Sequence, residues 1–238
     1  MTSNTRWLSL CVVAACGGGG SGGGADAAHD STPVPTTITI SGVASERSLG
    51  GTTLVAGLAV AAYKSSDETT AVAMATTDAM GKYTLTITTN GQPLDGFVKA
   101  TKSIYMDTYL YAPAPLTADF TKGSINMLTP SNFNLLQGTL CNANQTSAMG
   151  TIAVIAMDAS MTALAGATVA STPAATKYCY DMGGFPNKNA TMTDTDGVAI
   201  MFNVTGSATV TATKSGATFK SHVVNARAGA FTTTVITE

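Results

Sequence analysis

The side chains that most often carry catalysis are scarce in this chain. Its 238 residues include two histidines, His29 and His222, and three glutamates. A Ser-His-Asp unit in the folded part could use only His222. The segment FKSHVV places that histidine in a strand pattern beside apolar residues, which favours a structural or surface role. We therefore expect no enzyme, no catalytic residue, no metal site and no cofactor.

Cys16 has the most distinctive chemical setting. Residues 1–6 are polar with one positive charge, the nine residues 7–15 are almost wholly apolar, and two alanines precede the cysteine. This order is typical of a secretory signal. Nine residues are far fewer than the ~20 that a membrane-spanning helix needs. We predict a cleaved signal peptide over residues 1–15, and an unmodified Cys16 after an ordinary signal remains the alternative.

The segment VAAC that ends at Cys16 resembles the lipobox of bacterial lipoproteins. The resemblance implies that the Cys16 thiol is acylated and that lipid holds the mature chain on a membrane. Gly17, rather than an aspartate, follows the cysteine, and in this the chain resembles lipoproteins that are sent to an outer membrane. A Gly/Ser-rich run follows, and such a run has no side chains to bury. We predict that residues 16–35 are the lipidated cysteine and a flexible tether.

Cys141 and Cys179 remain after Cys11 and Cys16 are assigned to the signal and the anchor. In an oxidising envelope compartment an even pair predicts a disulfide. Two free buried thiols are the alternative.

Two tyrosine clusters are candidates for binding carbohydrate, which stacks on aromatic rings beside polar groups. In SIYMDTYLYAP, period-two spacing would place one cluster on a single strand face. The second falls in the loop-like segment KYCYDMGGFPNKN, beside Phe185. Core or sheet packing of the same tyrosines is the alternative. The candidate residues are Tyr105, Asp107, Tyr109, Tyr111, Tyr178, Tyr180 and Asp181.

The segment TDTDG, residues 193–197, resembles the start of a calcium loop, but it lacks the third acidic position and the distal glutamate. A plain turn is the favoured interpretation. Charged residues are 11% of the chain, the net charge is −2 and there is no basic stripe, which argues against nucleic acid as a partner.

The chain after Thr36 has the periodicity of strands and two similar halves. TTITISGV, YTLTIT and ATVTAT alternate apolar residues with threonine. In both halves an Asp-x-x-Gly turn, which Asp can cap and where Gly accepts positive φ, precedes a strand. These turns are Asp78 to Gly81 and Asp194 to Gly197. We interpret the halves as an internal duplication.

The order LAGATV, Thr-Asp-x-x-Gly, strand and then VTATK resembles the carboxypeptidase regulatory-like domain, a transthyretin-like β-sandwich. The second half matches this pattern well, whereas the first has Gly57-Leu58-Ala59-Val60 in place of a clean Gly-Ala-x-Val. The resemblance implies a fold but not a function, because such domains accompany many activities. A zinc carboxypeptidase needs His and Glu ligands, whereas this chain has only His222 in its predicted folded part and three glutamates in all.

These patterns predict an all-β chain of two transthyretin-like or Ig-like sandwiches joined by a short helical linker. In the linker Thr129 can cap a helix, Pro130 suits its first position, and Phe133, Leu136 and Leu140 recur at helical spacing. The predicted sandwiches span residues 36–128 and 149–238, with the linker at 129–148.

We expect a non-catalytic, lipid-anchored protein of the bacterial cell envelope, located at the outer membrane. Its partners would be the membrane, through the anchor, and an envelope protein. A carbohydrate-binding module that recognises cell-surface glycan is the alternative function.

Overall fold

The computed structural model describes residues 33–121 and 123–238, and strands dominate it. The strands before residue 129 are β1 (Thr37–Ser48), β2 (Gly51–Leu54), β3 (Ala59–Lys64), β4 (Ala73–Thr76), β5 (Lys82–Thr88), β6 (Gly96–Thr101), β7 (Thr108–Tyr111) and β8 (Ile125–Met127). Those after residue 148 are β9 (Gly150–Met157), β10 (Thr168–Thr172), β11 (Lys177–Met182), β12 (Phe185–Asn187), β13 (Val198–Val204), β14 (Gly206–Thr213), β15 (His222–Ala226) and β16 (Phe231–Thr237). The prediction of an all-β chain is confirmed.

The first half of the chain, residues 36–128, packs two layers around one core. β5 shows strict alternation, with Tyr83, Leu85 and Ile87 buried and the threonines between them exposed. It pairs with β1, which also carries β2 and β8. The buried side chains of this layer meet those of β3, β6 and β7, including Val60 and Leu110.

The second half, residues 149–238, has a sheet that is covered on both faces. β10, β14 and β15 form a three-stranded layer over one face of β9, β13 and β16. Alternate residues of β9 divide between two cores: Ile152 and Val154 face that layer, whereas Ala153 and Ile155 face the opposite side. All residues of β9 and β13 are therefore buried.

One nine-stranded sheet runs through both halves, in the order β12-β11-β13-β9-β16-β7-β6-β3-β4. β16, near the end of the chain, lies between the halves. It is parallel to β9 from Phe231 opposite Thr151 to Thr237 opposite Met157. It is also parallel to β7, from Phe231 opposite Thr108 to Thr233 opposite Leu110. The predicted linker thus separates two halves of the chain that share one hydrogen-bonded sheet.

The linker is helical where the sequence indicates. α1 (Pro130–Asn134) continues as a π-helical segment (Leu135–Leu140). The Thr129 hydroxyl caps α1 by accepting the Asn132 amide at 3.2 Å. Phe133 and Leu136 are buried against the second face of the nine-stranded sheet. Cys141 follows directly and is bonded to Cys179 of β11, with 5.5 Å between their Cα atoms, so the predicted disulfide is confirmed.

Candidate functional site

The tyrosines of β7 lie at the junction between the two halves. Tyr109 and Tyr111 are 7% and 6% exposed, and both pack around Phe97 of β6 with ring centroids 5.7 and 5.2 Å away. Burial raises the pKa of Tyr111, and the charge of Arg227 offsets part of that rise. A sugar needs an open ring face, and the faces of these rings are largely covered by protein.

Arg227, from the turn between β15 and β16, covers these rings. Its guanidinium carbon lies 4.0 Å from the Tyr109 ring centroid and 4.4 Å from that of Phe97. Nη1 donates to the Tyr111 hydroxyl at 3.1 Å, and Nη2 is 2.9 Å from Oε2 of Glu68. We call Phe97, Tyr109, Tyr111, Glu68 and Arg227 the junction cluster. Because four members come from the first half and Arg227 from the second, the cluster joins the halves through side chains.

Tyr105 and Asp107 lie apart from the junction cluster. The Tyr105 hydroxyl donates to Oε2 of Glu46 at 2.9 Å, and its ring packs against the first-half core. Asp107 forms an ion pair with Lys99 at 3.0 Å. β7 begins only at Thr108. The expectation that the first tyrosine cluster shares one strand face is therefore corrected: two of its four residues precede the strand and make different contacts.

The second tyrosine cluster lies on a strand, so its expected loop position is also corrected. Tyr178, Tyr180 and Asp181 belong to β11, which forms a hairpin with β12. Tyr180 is 5% exposed, its hydroxyl accepts the Val169 amide at 3.2 Å, and burial raises its pKa. Tyr178 packs against the core between the nine-stranded sheet and the layer of β10, β14 and β15. Backbone pairing with β12 and β13 converts the loop-like sequence into sheet.

Asp181 is 1% exposed, and neither of its carboxyl oxygens has a hydrogen-bond donor within the described part of the chain. Burial raises the pKa of Asp181 to about 8, and the neighbouring carboxyls of Asp196 and Asp194 act in the same direction. A carboxylic acid in such a setting holds its proton at neutral pH.

The two Asp-x-x-Gly turns share their backbone geometry, whereas their carboxylates accept different amides. Asp78 Oδ1 accepts the amides of Met80 and Lys82, both at 2.8 Å. Asp194 accepts the amides of Thr195 and Gly183, also at 2.8 Å. The glycines adopt φ of 68° at Gly81 and 69° at Gly197. Carboxylate oxygens at both turns thus bind backbone amides, as expected of plain turns.

The hydrogen bonds of the buried threonine before each turn were not predicted from the sequence. The Thr77 hydroxyl donates to the Val55 carbonyl at 2.6 Å and accepts the Leu58 amide at 2.9 Å. The Thr193 hydroxyl donates to the Leu164 carbonyl at 2.7 Å and accepts the Ala167 amide at 2.9 Å. The available signal was that a threonine directly precedes the aspartate in both halves.

His222 also has a structural setting. Its ring lies 6.3 Å from that of Tyr111 in an edge-on arrangement, and burial lowers its pKa. Within residues 33–121 and 123–238, no group of three or more His, Cys, Asp or Glu side chains is arranged to hold a metal ion.

One sheet face in the first half remains open. On β3 and β4 the side chains of Ala61, Tyr63 and Met74 point away from the first-half core, and Met74 is 79% exposed. Together with Lys99 of β6 they line a shallow depression of about 360 Å³. We call this the β3–β4 face. It offers apolar contact area with the Lys99–Asp107 ion pair at its side.

Cys16, the signal segment and most of the tether lie outside the described residues. No helix in the described part of the chain has the length and apolar character needed to cross a membrane.

Comparisons with known proteins give structural likeness only. No protein-family model matches the chain, and a search of curated proteins gave no match. Among solved structures, the Bacillus anthracis TIE protein is similar over 84% of this chain and 34% of its own, with 11% identity and a TM-score of 0.28. This chain therefore spans about a third of that protein.

Two pilins are matched over most of their own length. The shaft pilin SpaA of Lactobacillus rhamnosus GG covers 85% of this chain and 98% of its own, with 13% identity and a TM-score of 0.26. The minor pilin GBS52 of Streptococcus agalactiae covers 84% and 94%, with 12% identity and a TM-score of 0.27. Likeness at this level assigns neither a family nor a function.

Proposed function

We propose that this protein is a non-catalytic structural and interaction module of the bacterial cell envelope, anchored by lipid at Cys16. The observation that carries the proposal is the nine-stranded sheet that continues through both halves. With β16 paired on both sides, the halves share backbone hydrogen bonds and the junction cluster. Such a body suits a spacer or platform, whereas the buried side chains at the junction leave little room for a substrate.

The disulfide supports placement in the envelope. Cys141 and Cys179 form a bridge, and disulfides persist in oxidising compartments rather than in the cytoplasm. We also propose that the chain belongs to the carboxypeptidase regulatory-like family. The equivalent threonine hydrogen bonds at the two Thr-Asp-x-x-Gly turns support this.

Lipid attachment is tested by metabolic labelling with radioactive palmitate in a bacterial host. Label should enter the wild-type chain and the Cys11→Ser control, whose changed residue lies in the predicted signal, and should not enter Cys16→Ser. Separating inner and outer membranes by density then tests the outer-membrane location. Equal labelling of Cys16→Ser and wild type would disprove the anchor.

The interaction role is tested by photo-crosslinking in the native envelope. We propose that the β3–β4 face contacts an apolar surface of another envelope protein, because Met74 is largely exposed beside small apolar residues. A crosslinking residue at position 74 should yield a discrete adduct. The same residue at Met192, a half-exposed methionine in a loop of the second half, is the control. Matching adduct patterns at both positions would count against this face.

A further inference from the structure

The β11–β12 hairpin holds, close to its turn, a carboxyl group that the proposed function does not use. Asp181 lies two residues after Cys179 on the same face of β11, and its side chain is 1% exposed. Both of its oxygens are buried without a hydrogen-bond donor in the described residues. Burying an ionised carboxylate without a donor or a counter-ion is strongly unfavourable. This position therefore calls for either a neutral carboxyl or a bound cation.

The neighbouring groups are acidic as well. Asp196, 7% exposed, is close enough to Asp181 to raise the pKa of that carboxyl, and its Oδ1 accepts the Val198 amide at 3.2 Å. Asp194 adds a further negative charge nearby. Lys177 lies on the same face of β11, four residues before Asp181. The sequences of β9, β12, β13, α1 and the π-helical segment contain no ionisable residue. Two adjacent carboxyls can form a hydrogen bond only if one of them carries a proton.

We propose that Asp181 and Asp196 share one proton in the folded protein, and that this proton holds the β11–β12 hairpin against the turn that precedes β13. When the pair ionises fully, the proton passes to solvent and two negative charges remain at one buried site. Their repulsion then pushes the hairpin and the turn apart. The pair is thus a pH-sensitive latch at the β12 edge of the nine-stranded sheet.

The sign of the pH dependence follows from the two states of the chain. In the unfolded chain an aspartate has its ordinary pKa of 3.8, whereas burial and the adjacent carboxyls raise the pKa of Asp181 to about 8 in the folded protein. Between these values the folded state holds one more proton than the unfolded state. Stability contributed by the proton is therefore complete below about pH 4 and is lost as the pH rises to about 8. The folding equilibrium constant should fall by up to about tenfold per pH unit in this window.

The direct test is the titration of the Asp181 carboxyl carbon in the purified wild-type protein, followed by NMR. A chemical-shift change centred well above about pH 6 is the expected result. A midpoint near pH 4 would overturn the proposal, because the carboxyl would then be ionised at about neutral pH. This measurement requires no variant and so does not depend on the folding of one.

The second test is urea unfolding at intervals from about pH 5 to about pH 9. Asp181→Asn keeps the shape of the side chain and removes the titration, so its stability should fall much less steeply than that of the wild type across this range. Asp158→Asn, which changes a carboxyl in an exposed turn, should retain the wild-type slope. Asp196→Asn should resemble Asp181→Asn if the two residues share a proton. Slopes in both pair variants equal to that of the wild type would disprove sharing.

A third experiment, with calcium, tests whether a proton or a metal ion occupies the site of Asp181 and Asp196. Protein treated with a chelator is unfolded at about pH 8.5 with and without millimolar calcium chloride. We expect the wild-type protein to be equally stable with and without calcium. Stabilisation by calcium in the wild type that disappears in Asp181→Asn would identify a divalent cation as the occupant and overturn the proton latch. Loss of the latch would leave the proposed envelope function untouched, because lipid labelling and crosslinking do not depend on this pair.

Discussion

At the scale of single residues, two short turns organise the halves in the same way. Each has a buried threonine that links the turn to the preceding loop, followed by an aspartate that accepts backbone amides. The amide of Gly57 also donates to the Thr77 carbonyl at 2.9 Å, and that of Gly166 donates to the Thr193 carbonyl at 2.7 Å. Equivalent hydrogen bonds in both halves support the interpretation of an internal duplication.

The glycine of the second turn gives a residue-level prediction. At Gly197, φ is +69° and an added Cβ would lie 2.5 Å from the Ala156 carbonyl oxygen. At Gly216, φ is +80° and an added Cβ would meet no atom within 4 Å. Both Gly→Ala changes strain the backbone by about 1–3 kcal/mol. We expect Gly197→Ala to cost clearly more than Gly216→Ala, because only the former also displaces a neighbouring strand.

Urea unfolding of the two glycine variants at one fixed pH measures this difference. Equal losses of stability would show that the strand can move aside without cost.

The sequence identified these turns because Asp and Gly have strong local preferences. It did not predict the hydrogen bonds of the Thr77 and Thr193 hydroxyls, since threonine is common in this chain and a buried hydroxyl leaves no periodic signal.

At the scale of elements, the strands that the sequence predicts best are those with one exposed face. β5 alternates buried apolar residues with exposed threonines, and its pattern is visible without a structure. β9 and β13 are covered on both faces, so all their residues are buried and the alternation disappears. The helix was found because Thr129 and Pro130 are local signals. Its π-helical continuation has no comparable signal in the sequence.

The disulfide gives an element-level prediction. It joins the end of the π-helical segment to β11 across a sequence separation of 38 residues. Replacing both cysteines with alanine should lower the free energy of unfolding by about 2–4 kcal/mol, chiefly because the unfolded chain gains freedom. Chemical unfolding measures the loss. A reducing agent should destabilise the wild type similarly and leave the Cys141→Ala/Cys179→Ala variant unchanged; sensitivity of that variant to the reductant would point to a different cause.

At the scale of the whole molecule, the feature hidden from the sequence is the joining of the halves. The pairing of β16 with β7 connects strands that lie far apart in the chain, with Phe231 opposite Thr108. No local turn signals parallel pairing of this kind, since it needs no hairpin. Arg227 was likewise not singled out, because one arginine in a turn shows no pattern. Its role follows only from the rings and the carboxylate that the fold brings around it.

The junction cluster gives a prediction about cooperativity. β16 pairs with β7 of the first half at three register positions and with β9 of the second half at seven. The backbone pairing of β16 with the first half is therefore weaker than its pairing with the second half. Arg227→Ala removes the ion pair with Glu68, the contacts with the rings and the hydrogen bond to Tyr111. We expect a loss of about 2–3 kcal/mol, which is typical when a partly buried network is broken.

Hydrogen exchange followed by mass spectrometry at increasing urea concentrations can resolve the halves. In the wild type, peptides from β3, β6 and β7 should lose protection at the same urea concentration as peptides from β9 and β13, since one sheet contains them all. In Arg227→Ala the first-half peptides should lose protection earlier. Lys99→Ala is the matched control, because Lys99 contacts Tyr109 and pairs with Asp107 within the first half. Coincident loss of protection in Arg227→Ala would mean that backbone pairing alone joins the halves and that the junction cluster is dispensable.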